Sequence, residues 1–70
     1  MNVTFEVVVN GASRTAPTSG RLPDLLADLG LAVGSVVVEL NGTALTPSEA
    51  LRVTLSAGDR LELVRAVAGG

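Results

Sequence analysis

Histidine, cysteine, lysine and tyrosine do not occur in this chain, so the usual general bases and nucleophiles are missing. Seven carboxylates remain: Glu6, Asp24, Asp28, Glu39, Glu49, Asp59 and Glu62. Glu6, Glu39 and Glu62 fall at solvent-facing strand positions, and Asp24 and Asp28 on the polar side of a helix. They read as a solvated acidic surface, and no loop carries the ligand spacing of a calcium site. Neither a catalytic centre nor a metal site is expected. The chain end is different, because residues 69 and 70 are both glycine. The main-chain carboxylate of Gly70 is a poor electrophile until ATP converts it to an acyl-adenylate, and an activating site must then wrap the chain closely. Glycines at 69 and 70 supply a thread with no Cβ to obstruct that approach. Gly70 is therefore the candidate reactive position, with Gly69 and Ala68 as its tail.

A body is needed to present such an end. Seventy residues make one small domain, near the lower limit for folding without disulfides or metal. The sequence is 47% apolar, mostly Val, Leu and Ala, with Phe5 the lone aromatic, so branched aliphatics must form the core. The five basic residues, all arginine, are scattered, and the formal charge is −2. That pattern, with no aromatics to stack bases, argues against a nucleic-acid partner. No apolar run is long enough to span a membrane, and residues 1–4 do not open a secretory signal, so no membrane partner and a cytoplasmic location are expected.

Period-two alternation over residues 3–9 places Val3, Phe5, Val7 and Val9 on one face of a strand. Asn10-Gly11 then predicts a type I′ hairpin turn and a return strand over residues 12–16. Residues 17–21 read as a loop. Pro23 and Asp24 suit the first turn of a helix, and Leu22, Leu25, Leu26 and Leu29 repeat along one of its faces. Gly30 is placed to end that helix. A second apolar strand covers residues 35–40 and is closed by Asn41-Gly42. Thr46-Pro47-Ser48-Glu49 resembles a capping box opening a single helical turn. A brief strand is expected at 52–55, a turn at 57–59 and a last strand at 61–67, with Leu61 and Leu63 inward. Its exposed residues Val64, Arg65 and Ala66 are candidates for partner binding. The whole reads as an α+β domain over residues 1–67, a mixed sheet covering one main helix, with a flexible tail at 68–70.

Four stretches carry a resemblance: Val7-Val8-Val9-Asn10-Gly11, the segment from Leu22 to Leu31, the segment from Val36 to Gly42, and the segment from Ala57 to Gly70. The last is the most specific, with its Gly58-Asp59-Arg60 turn, aliphatic strand and Gly69-Gly70 end. The chain resembles the ubiquitin-like sulfur carriers of thiamine and molybdenum-cofactor biosynthesis, and most closely those of thiamine. The resemblance implies a β-grasp fold and a protein that is not an enzyme but a co-substrate. It implies a partner adenylyltransferase related to ubiquitin-activating enzymes, which uses ATP and Mg²⁺ on Gly70; the carrier itself binds no cofactor. A cysteine desulfurase or rhodanese would supply sulfur to give a Gly70 thiocarboxylate, and thiazole synthase or another sulfur-accepting enzyme would take it. The chain departs from the thiamine carriers in its longer first strand, which looks like that of archaeal small modifiers, and in Ala68, where a third glycine is frequent.

The alternatives are a carrier for molybdopterin or tRNA thiolation, and a modifier conjugated to protein lysines through Gly70. Lacking lysine, the chain could not build side-chain-linked polymers of itself.

Overall fold

A computed structural model describes residues 4–65. In chain order these form β1 (Glu6–Val9), β2 (Ala12–Thr15), α1 (Leu22–Asp28), β3 (Val36–Leu40), β4 (Thr43–Leu45), α2 (Pro47–Ala50) and β5 (Arg60–Arg65). The strands make one five-stranded sheet in the order β2-β1-β5-β3-β4. β1 and β5 run parallel at its centre, and the other neighbours are antiparallel. This is the mixed sheet on one main helix that the alternation and the Leu22–Leu29 repeat predict.

Both hairpins follow from the Asn-Gly pairs. Asn10 and Gly11 have φ of 48° and 82°, and Asn41 and Gly42 have 50° and 86°. Two successive residues in the left-handed region are what a type I′ turn requires, and asparagine and glycine tolerate it best. Each turn pairs its flanking strands without a bulge, Val9 with Ala12 and Leu40 with Thr43. The second pairing creates β4, a strand that the sequence reading leaves unassigned.

α1 begins at Leu22 with Pro23 and Asp24 in its first turn. It ends at Asp28 with Leu29 as its C-cap, followed by Gly30 with φ of 75°. There the Leu31 N–H donates to the Leu26 carbonyl at 2.8 Å and the Gly30 N–H to the Ala27 carbonyl at 2.9 Å, a Schellman closure. Leu22, Leu25 and Leu26 are buried against Val7, Val9, Val36, Val38 and Leu61 from the sheet. α2 carries the expected capping box: the Glu49 N–H donates to Thr46 Oγ1, and the Thr46 N–H to Glu49 Oε1 at 2.8 Å.

The strand expected at 52–55 does not form. Its N–H groups first continue the α2 turn, Arg52 to the Glu49 carbonyl and Val53 to that of Ala50. Further on, the Leu22 N–H donates to the Val53 carbonyl at 3.1 Å and the Leu55 N–H to the Gly20 carbonyl at 2.7 Å. Only an isolated bridge between Arg21 and Thr54 results. The segment pairs with the approach to α1 and not with the sheet. The last strand ends at Arg65 as described, and Val3 and Val67, assigned to strands from sequence, lie outside the described residues.

Two turn asparagines fasten β5. Asn41 accepts from the Arg60 N–H through Oδ1 at 2.8 Å and donates through Nδ2 to Asp59 Oδ1 at 3.0 Å. Asn10 accepts from the Leu63 N–H at 2.8 Å and donates to the Leu63 carbonyl at 3.2 Å. Its side-chain amide thus supplies one more pair of strand-like bonds after β1 has ended. Replacing Asn10 by Gly should cost about 1–2 kcal/mol, the worth of two hydrogen bonds. Replacing it by Ala adds the left-handed backbone strain and should cost about 1 kcal/mol more. Urea unfolding of the two variants beside the parent checks both values and their order.

Candidate functional site

Because paired strand residues project to the same side, the register divides the surface into two faces. Val7, Val9, Val36, Val38, Leu61 and Leu63 point toward α1, so Glu6, Val8, Val37, Glu39, Glu62 and Val64 point away from it. Among the described residues, no helix covers that second face. Val37 and Val64, cross-strand partners 48% and 60% exposed, form its apolar centre. Glu39 and Glu62 are partners one pair further on, and Glu6 lies on β1.

Glu6 is held by its own hairpin. Ser13 Oγ donates to Glu6 Oε1 at 2.7 Å and Thr15 Oγ1 to Oε2 at 2.8 Å. The Ser13 bond first, then the Thr15 bond, lowers the Glu6 pKa below its ordinary value of 4.5. Glu49 is lowered likewise, by the Thr46 N–H and then the Thr46 hydroxyl of the capping box. Glu39 and Glu62 face each other with like charge, an arrangement that works against the sheet.

Of the residues proposed for docking, Val64 and Arg65 project to opposite sides of the sheet. Val64 lies on the open face, whereas Arg65, paired with Val36, projects to the helix side. Ala66 lies outside the described residues, as do Ala68, Gly69 and Gly70. β5, Arg60–Arg65, leads toward that segment.

On the helix side, that end of the sheet holds a groove of about 420 Å³. Val9, Val36 and Leu63 line it from the sheet, and Leu29 and Leu31 from beyond the helix end. Arg14 and Arg65 stand at its sides. The sequence reading missed this feature, though the signal was present. A two-residue turn at Asn10-Gly11 pairs Val9 with Ala12 and Val7 with Arg14, so Arg14 must share the side of Val7. No group of three or more acidic, histidine or cysteine side chains suited to a metal occurs among the described residues. No helix there is long and apolar enough to cross a membrane.

The model of the ThiS family matches residues 7–70, all but the first six of the chain. A crystal structure of the thiamine biosynthesis protein ThiS from Geobacter metallireducens is similar, with a TM-score of 0.75 and 30% identity. The similarity covers 94% of this chain and all of that one. No curated protein matches. The chain belongs to the ThiS family of small ubiquitin-like, β-grasp sulfur carriers.

Two outcomes follow from the charges. Glu6 and Glu49 have lower pKa values folded than unfolded, so their contribution is complete above about pH 4.5 and is lost as pH falls through the folded values. Thermal midpoints followed from neutral pH into acid should fall, and less steeply in Glu6→Gln. Glu39→Thr removes the like-charge pairing and should stabilise by a few tenths of a kcal/mol, more at low salt.

Proposed function

We propose that this protein carries sulfur on the main-chain carboxyl group of Gly70 and delivers it to thiazole synthase in thiamine biosynthesis. The observation that carries this reading is the family match, which runs through Gly69-Gly70. The similar structure, a thiamine biosynthesis protein, supports the choice of pathway.

The chemistry asks little of the carrier's side chains. An adenylyltransferase related to ubiquitin-activating enzymes joins AMP to the Gly70 carboxylate and releases pyrophosphate, using its own ATP and Mg²⁺. The persulfide of a cysteine desulfurase or rhodanese then attacks the carbonyl carbon and expels AMP to give an acyl persulfide, and a second thiol on the partner breaks its S–S bond, leaving the Gly70 thiocarboxylate and a disulfide. The acceptor synthase withdraws that sulfur and returns the carboxylate. In each step the reacting carbon belongs to residue 70, and Gly69 keeps the approach free of a Cβ. The carrier's body contributes recognition. Its open face, with Val64 and Val37 side by side and both exposed, offers an apolar area for the activating enzyme.

Incubation with ATP, a sulfur donor and the cognate adenylyltransferase should raise the intact mass by the difference between one sulfur and one oxygen. The Gly70 deletion should show no change. An unaltered mass in the parent protein rejects the carrier reading. Val64→Asp is expected to raise the KM for adenylation about tenfold while the folded state persists, since the residue is already exposed. Immunoblots of cell extract should show the free protein without a ladder of conjugates.

A further inference from the structure

The helix is too short for its sheet. α1 has seven residues, or about 10 Å of axis, and covers only part of the side on which Val7 and Val9 lie. Beyond its Gly30 closure, the groove near the end of β5 is left with an aliphatic lining of Val9, Val36, Leu63, Leu29 and Leu31. Arg14 and Arg65 reach it from β2 and β5, and no carboxylate is among the described residues that line it. A cation on the core side of a sheet has a general use, because an inward-pointing charge discourages edge-to-edge association. That accounts for Arg14 on the edge strand β2, but not for Arg65 on the central strand β5.

We infer that this groove binds a peptide segment of a partner protein in which acidic side chains alternate with aliphatic ones. The aliphatic side chain covers Val9, Val36 and Leu63, and carboxylates engage the guanidinium groups of Arg14 and Arg65 at the sides. Arginine suits this role because its planar fork meets a carboxylate with two parallel donors. A nucleotide is a poorer match, since among the described residues the chain has only Phe5 to stack a base, and Phe5 packs against the core instead. The site lies close to the proposed reactive group. Gly70 is five residues beyond Arg65, at most about 17 Å of extended chain, so a partner held here could reach it. That last link alone rests on the carrier reading.

The test is a titration of the isotope-labelled protein with an acetylated and amidated Glu-Leu-Glu-Leu peptide, followed by amide chemical shifts. Shifts should concentrate at Ala12, Leu31 and Leu63. Arg14→Glu and Arg65→Glu should each weaken binding roughly fivefold or more. Ala12→Trp, which fills the groove mouth and leaves both charges in place, should abolish the shifts. Absence of shifts, shifts confined to the open face around Val64, or equal affinity in the arginine variants overturns the proposal. So does the same response to ATP without peptide, which would make the groove a nucleotide site. Groove shifts that grow with protein concentration alone would show a second copy as its occupant and overturn it equally. Thiocarboxylation without peptide binding removes only the groove; peptide binding without thiocarboxylation removes only the carrier reading.

Discussion

β1 and β5 meet in parallel over a very short ladder, Val8 with Arg60 and Val9 with Leu61, and among the described residues this ladder is where the sheet joins the two hairpins. The β1–β2 hairpin lies on one side of β5, and the β3–β4 hairpin on the other. Parallel pairing is slightly weaker per residue than antiparallel pairing, and a ladder this short would leave the central seam thin. Asn10 compensates. Having turned into the left-handed region to close its hairpin, it turns its amide onto Leu63 and copies the donor and acceptor of a strand residue. Asn41 does the corresponding work at Arg60, the start of the same strand. The residues that make the turns therefore also set the position of β5.

The placement of that strand also assigns the two sides of the sheet different tasks. One side is closed by Leu22, Leu25 and Leu26 over the middle of the sheet and left unfilled at one end. The other is bare, with paired valines at its centre and paired glutamates beside them. A domain made only for stability would have little reason to keep Val37 and Val64 in water or to set Glu39 opposite Glu62. Both features are intelligible in a sulfur carrier, a protein that interacts with other enzymes.

Much of the architecture was legible because it is written in local chemistry. The Asn-Gly pairs specify turn type and register, the Leu22-to-Leu29 repeat specifies a helix face, and Thr46 to Glu49 spells out its own cap. What escaped the sequence reading depends on distant partners. β4 exists because Leu40 pairs with Thr43 across a turn, and Thr43–Leu45 has little apolar signal of its own. Residues 52–55 look strand-like by composition, but Gly20 and Leu22 claim their backbone groups first. The docking residues were chosen as neighbours in sequence, and alternation along β5 sends Val64 and Arg65 to opposite sides. The family was readable from the Gly58-to-Gly70 segment because that stretch joins a turn, a strand and a glycine pair in one order.

The central place of β5 also bears on how the protein comes into being. A nascent chain grown only as far as α2 contains the residues of both hairpins and of α1, but lacks the strand on which they meet. Val9 and Val38 wait for Leu61 and Leu63, more than twenty residues further on even from the nearer of them. Such a sheet cannot assemble progressively from its first residues; it closes in one late event, through contacts of long sequence separation, and is slow for its size. Until then its aliphatic side chains stand exposed, and the unfilled centre is the moment of greatest exposure to aggregation.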